Sequence, residues 1–162
     1  MTRRETAILY LSPIQDAPVT EDSTRIVQLN LTPEALGLVI DFVGRRTPFA
    51  SFEAGVLIDA LSHQLRDQHH LVALDGIKMV GYAGWLMTTT EIAESWIENR
   101  GQLRRRSGKD AEAAVLTIVA SVDTSVTKRL IRGARHLNPG RRAYFKRDTD
   151  ATDRLRKLSV RI

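Results

Sequence analysis

Cysteine is absent from the 162-residue chain, which excludes a disulfide framework, a thiolate nucleophile and a cysteine-ligated zinc. Histidine is scarce too. His63, His69, His70 and His136 are the only four, and the adjacent His69–His70 pair lacks the i, i+4 spacing of a helical metal pair. We expect no metal site. No apolar run approaches the roughly 18 residues of a membrane-spanning helix, and the opening Met-Thr-Arg-Arg-Glu-Thr leads into no long apolar segment. The expectation is a cytoplasmic protein without a membrane span. Aromatic residues make up only 6% of the chain, and the basic segments are not interleaved with exposed ones, which counts against nucleic-acid binding.

What is present divides the chain by charge. Residues 1–99 hold 7 basic and 13 acidic residues, net −6, whereas 100–162 hold 17 basic and 6 acidic, net +11. The overall +5 is therefore a local excess, which points to a localised anionic partner. With 43% hydrophobic residues the length suits one core, and we expect an N-terminal arm over 1–22 followed by a single domain over 23–162. Within the arm, Ile8 to Leu11 can pair as an edge strand.

From Thr24 the pattern strengthens. Val27, Leu29 and Leu31 alternate with Ile26, Gln28 and Asn30, a period of two that predicts a strand. Thr32-Pro33-Glu34 then supplies a cap, a first-turn proline and an acid at the positive end of a helix. Its apolar stripe is Leu36, Val39, Ile40 and Val43. A second helix is expected from Ser51 to Gln68, with Phe52, Val56, Leu57, Ala60, Leu61 and Leu65 inward. The apolar runs His70–Leu74 and Lys78–Met87 flank Asp75-Gly76, a hairpin signal. Gly81 and Gly84 within the second run predict a bulge or a close approach. Thr89 or Thr90 caps a third helix, and Arg104 to Lys109 reads as a basic loop. Ala113–Ser121 reads as a central strand buried on both faces. Thr124 or Ser125 caps a fourth helix with Val126, Leu130, Ala134 and Leu137 inward and Lys128, Arg129, Arg132 and Arg135 outward. Strands are expected at Arg141–Arg147 and Leu158–Ile162. The fold class is α/β (α+β), a mixed, mostly antiparallel sheet flanked by helices.

This order resembles the GNAT acyltransferases, and residues 47–147, about two thirds of the chain, resemble the lysine acyltransferases that activate RTX toxins. The resemblance is carried by Thr47-Pro48-Phe49 before a helix, by the run from Asp75 through Val80-Gly81-Tyr82 to Trp85, by Ser107-Gly108 before a strand ending at Ala120, and by Asn138-Pro139-Gly140 before an arginine-containing strand. It implies an acyl thioester donor, either acyl-carrier protein or acyl-CoA, and an amine acceptor such as a protein lysine. Two positions depart from it. Ala50 stands where that family has a histidine, and Thr117 where it has an aspartate.

Acyl transfer needs a held donor, an exit for the amine's proton and donors aimed at the developing oxyanion. For donor binding the sequence offers Val119, Ala120, Ser121 and Val122 at the end of the central strand, with Lys128, Arg129 and Arg132 on the following helix. That helix's N-terminus suits a phosphate, although Arg129 to Ala134 does not match the glycine-rich turn of CoA-using members. Plain solvation is the simplest reading of that basic face, docking of an acidic carrier protein or a CoA phosphate comes next, and nucleic acid is the least favoured. Glu112 as base and Tyr144 as acid are the candidate catalytic residues, with a solvent-facing carboxylate and a core tyrosine as the alternatives. The absent histidine and aspartate leave open a catalytically inactive binding or regulatory protein, and a small basic nucleic-acid-binding protein is the third reading. An edge strand at the C-terminus leaves room for a homodimer.

Overall fold

The computed structural model describes residues 23–146 and the strand at 158–161. The expected arm, with its edge strand at Ile8–Leu11, lies outside the described residues, as does Ile162. Six strands form one sheet in chain order: β1 (Thr24–Val27), β2 (His70–Asp75), β3 (Lys78–Thr88), β4 (Ala113–Ser121), β5 (Arg142–Phe145) and β6 (Leu158–Arg161). Neighbours are antiparallel except β4 and β5, which run parallel. The sheet is mixed and mostly antiparallel, as expected.

Four helices cover it: α1 (Pro33–Gly44), α2 (Ala54–Arg66), α3 (Thr90–Ile97) and α4 (Thr124–His136). α4 makes the crossover that a parallel strand pair requires. On one face, Val39, Phe42 and Val43 of α1 and Leu57, Leu61 and Leu65 of α2 pack on Val72, Tyr82, Ile118 and Ala120. On the other, Val126, Leu130 and Ala134 of α4 pack on Leu71, Ala73, Val80 and Ala83. α3 covers Ala113, Val115 and Tyr144 with Ala93 and Ile97. None of these helices is long and apolar enough to cross a membrane.

Several boundaries differ from the sequence expectation, each for a local reason. β1 stops at Val27 because the chain then leaves the sheet, and the N–H of Leu29 donates to His70 Nε2 (2.9 Å) instead of to a strand. α2 begins at Ala54, after a single 3-10 turn at Phe49–Ser51, so Phe52 lies outside the helix and is exposed; Val56, inside it, is exposed because the buried stripe is Leu57, Leu61, Gln64 and Leu65. α4 begins at Thr124 itself, which makes Asp123 the cap: its carboxylate accepts from Val126 N at 2.8 Å. Leu137, beyond the last turn, is exposed.

The hairpin turn places Gly76 at φ +60, a conformation that glycine adopts without steric cost. The other two glycines of the expected close approach are packing requirements. A Cβ at Gly81 would lie 2.6 Å from Val126 and 2.8 Å from Leu130, so its absence lets α4 seat on the sheet. A Cβ at Gly84 would lie 2.0 Å from the Gln64 side chain.

Gly81→Ala should therefore destabilise the fold by about 1–3 kcal/mol through overpacking beneath α4. Gly37→Ala, where nothing lies within 4 Å of the added carbon in the middle of α1, should stabilise it by about 0.5–1 kcal/mol. Urea denaturation of the two variants measures both signs.

Candidate active-site cleft

β5 pairs with β4 only from Ala113↔Arg142 to Leu116↔Phe145. Beyond Leu116, β4 has no strand beside it on that edge among the described residues. Its other edge carries a bulge: Gly84 faces Ile118 and Trp85 faces Leu116, so Thr117 is the extra residue. The bulge places Thr117 and Ile118 on the same face, that of α1 and α2, and turns the end of β4 away from β5. A cavity of about 520 Å³ opens at this divergence, lined by Phe49, Phe52, Trp96, Thr117, Val119 and Phe145 among others. Its lining mixes aromatic and aliphatic side chains with the polar Thr47, Thr117 and Lys146, and Lys146 is the one ionisable group in it among the described residues. The Lys146 ammonium sits 4.8 Å from the Trp96 ring centroid and donates to the Asn99 side chain and the Trp96 carbonyl.

The backbone of β4 is oriented toward this cavity. Val122 N–H donates to Val80 of β3 at 2.9 Å. Because successive residues of a strand alternate the direction of their peptide groups, Val119 and Ser121 turn theirs to the open side. Val119 is among the residues lining the cavity, and its N–H is thus on the open side of the strand.

Beneath Thr117 lies a buried polar network. Gln64 of α2, only 5% exposed, donates from Nε2 to Thr117 Oγ1 (2.9 Å) and accepts at Oε1 from the Tyr82 hydroxyl (2.9 Å). Its backbone carbonyl meets His70 Nδ1 at 3.1 Å. Since His70 Nε2 accepts from Leu29 N–H, the proton resides on Nδ1, which donates to Gln64. The imidazole is fully buried and stacks on Tyr82, centroids 6.1 Å apart. Burial pushes the Tyr82 hydroxyl well above the ordinary phenol range and pulls His70 below the ordinary imidazole range. Both are neutral structural groups. With a lone pair of Thr117 taken by Gln64, the Thr117 O–H remains free to donate into the cleft.

The residues singled out in the sequence disperse. Val119 lines the cleft, but Ala120 is buried against the α1–α2 face. Ser121 Oγ bonds to the Asp123 carbonyl and Thr127, and Val122 is exposed. Lys128 and Arg132 are exposed on α4 as expected, whereas Arg129 is half-buried and donates to the Thr24 carbonyl of β1 at 2.6 Å. Gly133 fits against Leu71, where a Cβ would lie 2.7 Å away, and so serves packing. Glu112 is exposed at the start of β4, 3.3 Å from the Thr90 hydroxyl, in an acidic recess with Glu91, Glu94 and Asp110. Five residues of strand separate it from Thr117, about 16 Å. Tyr144 is buried under α3 with its hydroxyl on Glu94 Oε1 (3.2 Å), and burial raises its pKa. The structure does not bring these two to the cleft. Trp85, beside Gly84, lines a second cavity and not the cleft. Gln64 and Trp96 were not read as site residues. Gln64 had a visible signal, a polar residue three after Leu61 and seven after Leu57 on the buried stripe of α2.

No protein-family model matches the sequence, and no curated protein matches it either. Among solved structures the chain is similar to AAC(6')-Iy in complex with the bisubstrate analog CoA-S-monomethyl-acetylneamine, at 14% identity and TM-score 0.52, covering 80% of this chain and 82% of that one. It is also similar to Arabidopsis thaliana NAA60 in complex with acetyl-CoA, at 12% identity and TM-score 0.55, covering 79% and 78%. The fold is GNAT-like.

The buried His70 makes stability pH-dependent. Its folded pKa lies below the ordinary value, as does that of the half-buried His69, so the unfolded chain binds more protons in acid. The stabilisation is complete above about pH 6.5 and declines as pH falls from there toward the folded values. Thermal melting from pH 7.5 to 5 should show a falling Tm. His70→Gln should flatten that slope, leaving the smaller part due to His69.

Proposed function

We propose that the chain transfers an acyl group from a thioester to an amine, with the reacting end of the donor held where β4 and β5 diverge. The observation that carries this reading is the bulge at Thr117, beside which a cleft lined by Thr117 and Val119 opens where β4 and β5 diverge. The thioester carbonyl accepts hydrogen bonds from Val119 N–H and the Thr117 hydroxyl. The amine nitrogen attacks the carbonyl carbon, and charge builds on its oxygen where the two donors already stand. The C–N bond forms, the C–S bond breaks, and the thiolate leaves and takes up a proton. The amine's own proton passes to water, because among the described residues the cleft presents no carboxylate or imidazole to receive it.

The donor's other end favours an acyl-carrier protein over CoA. The Asp123 carboxylate occupies the N-terminus of α4, so a pyrophosphate placed there would meet a negative charge. Lys128 and Arg132 remain exposed on α4 for an acidic carrier surface. NAA60 was solved with acetyl-CoA, and CoA thioester is the other donor in this reading. A protein lysine as acceptor rests on the resemblance over residues 47–147. A second reading, an acyl-binding protein without transfer, draws on the lack of a proton acceptor in the cleft and on Ala50 and Thr117.

Thiol release from acyl-carrier protein and acyl-CoA donors of several chain lengths, with a lysine peptide present, tests the proposal. Turnover should rise with pH as the amine deprotonates. Thr117→Val, which keeps the shape and removes the hydroxyl, should lower kcat by about a hundredfold with KM little changed. No thiol release from any donor, accompanied by a ligand-induced rise in Tm, would establish the binding reading instead.

A further inference from the structure

We propose that a second cavity, at the end of the sheet where β2 and β4 begin and β3 ends, binds a small organic oxyanion, a phosphate or carboxylate compound. Its volume is about 740 Å³, larger than the cleft, and its lining includes His69, Trp85, Arg105, Arg106, Asn138 and Arg141. This is the size of a metabolite site. Neither Thr117 nor Val119 contributes to it.

Its electrostatics are one-sided. Asp67 is the single carboxylate in the lining, and it is already bound by Arg105. Arg141 donates Nε to the Ala111 carbonyl at 3.0 Å, which fixes the side chain and leaves its terminal nitrogens without a partner among the described residues. The Arg106 side chain has no hydrogen bond or ion pair there either; only its backbone N–H is engaged, with the Met87 carbonyl. Two arginines thus line one concavity, and neither guanidinium has an anionic partner among the described residues; guanidinium groups suit bidentate recognition of phosphate or carboxylate.

A separate observation comes from Trp85. It is 2% exposed, and its Nε1 is the one fully buried side-chain polar atom without a hydrogen-bond partner among the described residues. Indole N–H groups at such depth nearly always have an acceptor. The His69 ring stacks on the same indole, centroids 6.1 Å apart, forming an aromatic wall beside the arginines. The Nε1 atom is closed to solvent, so an oxyanion held by Arg106 and Arg141 beside this wall would meet that N–H only after a local shift of the lining. Arg106 and Ser107 lie on an irregular segment entering the turn at Gly108.

The two tryptophans of the chain, Trp85 and Trp96, belong to different cavities, which makes the test direct. In nitrogen-15 NMR spectra of the whole protein, Trp96→Phe assigns the Trp85 indole N–H signal. Sodium pyrophosphate, AMP and citrate are then titrated at constant ionic strength. The expected result is a saturable shift of the Trp85 signal by at least one probe, with Kd below about 1 mM. Arg106→Gln, which alters an exposed side chain without structural contacts, should weaken that Kd by about tenfold or more. Saturation by pyrophosphate or AMP assigns a phosphate compound, and saturation by citrate alone a carboxylate; both support the site. Absence of a saturable shift with all three probes, or a Kd unchanged in Arg106→Gln, overturns it. Neither result bears on thiol release at the cleft.

Discussion

Gln64 reaches from α2 through the space that Gly84 leaves empty and holds Thr117 out of the regular strand register. Much of the candidate site follows from that contact. A bulge in an antiparallel pair leaves one residue unpaired, and an unpaired residue stays on the wrong side of the ladder only if something satisfies it there. The amide of Gln64 does so, and it is itself fixed from behind by the Tyr82 hydroxyl. His70 anchors the backbone at the same point, because its Nδ1 donates to the carbonyl of Gln64 while Nε2 receives Leu29 N–H. One buried imidazole thereby ties the end of α2 to the segment leaving β1. Every polar side-chain atom named in the network has a partner, the condition under which a buried network specifies one arrangement.

The element order was legible because each element was signalled twice, by period and by punctuation. Thr32 and Thr89 cap as expected, the Asp75-Gly76 hairpin lies between its two strands, and Ala113–Ser121 is β4 to the residue. The misreadings share one cause. Apolar periodicity reports that a face is buried but not what covers it. Phe52 and Val56 continue the stripe of α2 in sequence, yet α2 begins only at Ala54, and Phe52 lines the cleft instead of the core. Leu137 fits the spacing of α4 but falls past its last turn. The site was less legible than the fold because it depends on a register shift of one residue. AAVLTIVAS reads as uniform alternation, and the side chain that breaks it is contributed from 53 residues away.

Charge asymmetry proved to be partly internal. The acidic first part of the chain and the basic second part meet across the fold. Arg105 binds Asp67, Arg142 lies 3.3 Å from Glu94, and Arg129 donates to a carbonyl of β1. The two ion pairs are solvent-exposed, so each contributes little to stability. Their effect is to subtract these groups from the surplus available to a partner. Among the described residues, the basic side chains left over include Lys128 and Arg132 on α4 and Arg106 and Arg141 in the recess. A single net charge had concealed two separate basic surfaces.

β4 itself has two halves of different character, and the bulge is the border between them. From Ala113 to Leu116 it is paired on both edges and covered by α3 and α4, the setting of an ordinary central strand. From Thr117 onward, among the described residues, only β3 holds it, and the freed edge lies on the cleft. An exposed backbone edge normally attracts another strand, and here Phe52, Trp96 and Phe145 fill the approach with side chains too bulky to pair. In the proposed reading the acyl end of the donor lies between those rings and that edge, with its carbonyl at the free N–H. Lys146 is held against Trp96 at the same opening, so the one charge there is already engaged. The discrimination available to the cleft is consequently one of shape and of carbonyl position, because no unengaged charge lines its described walls.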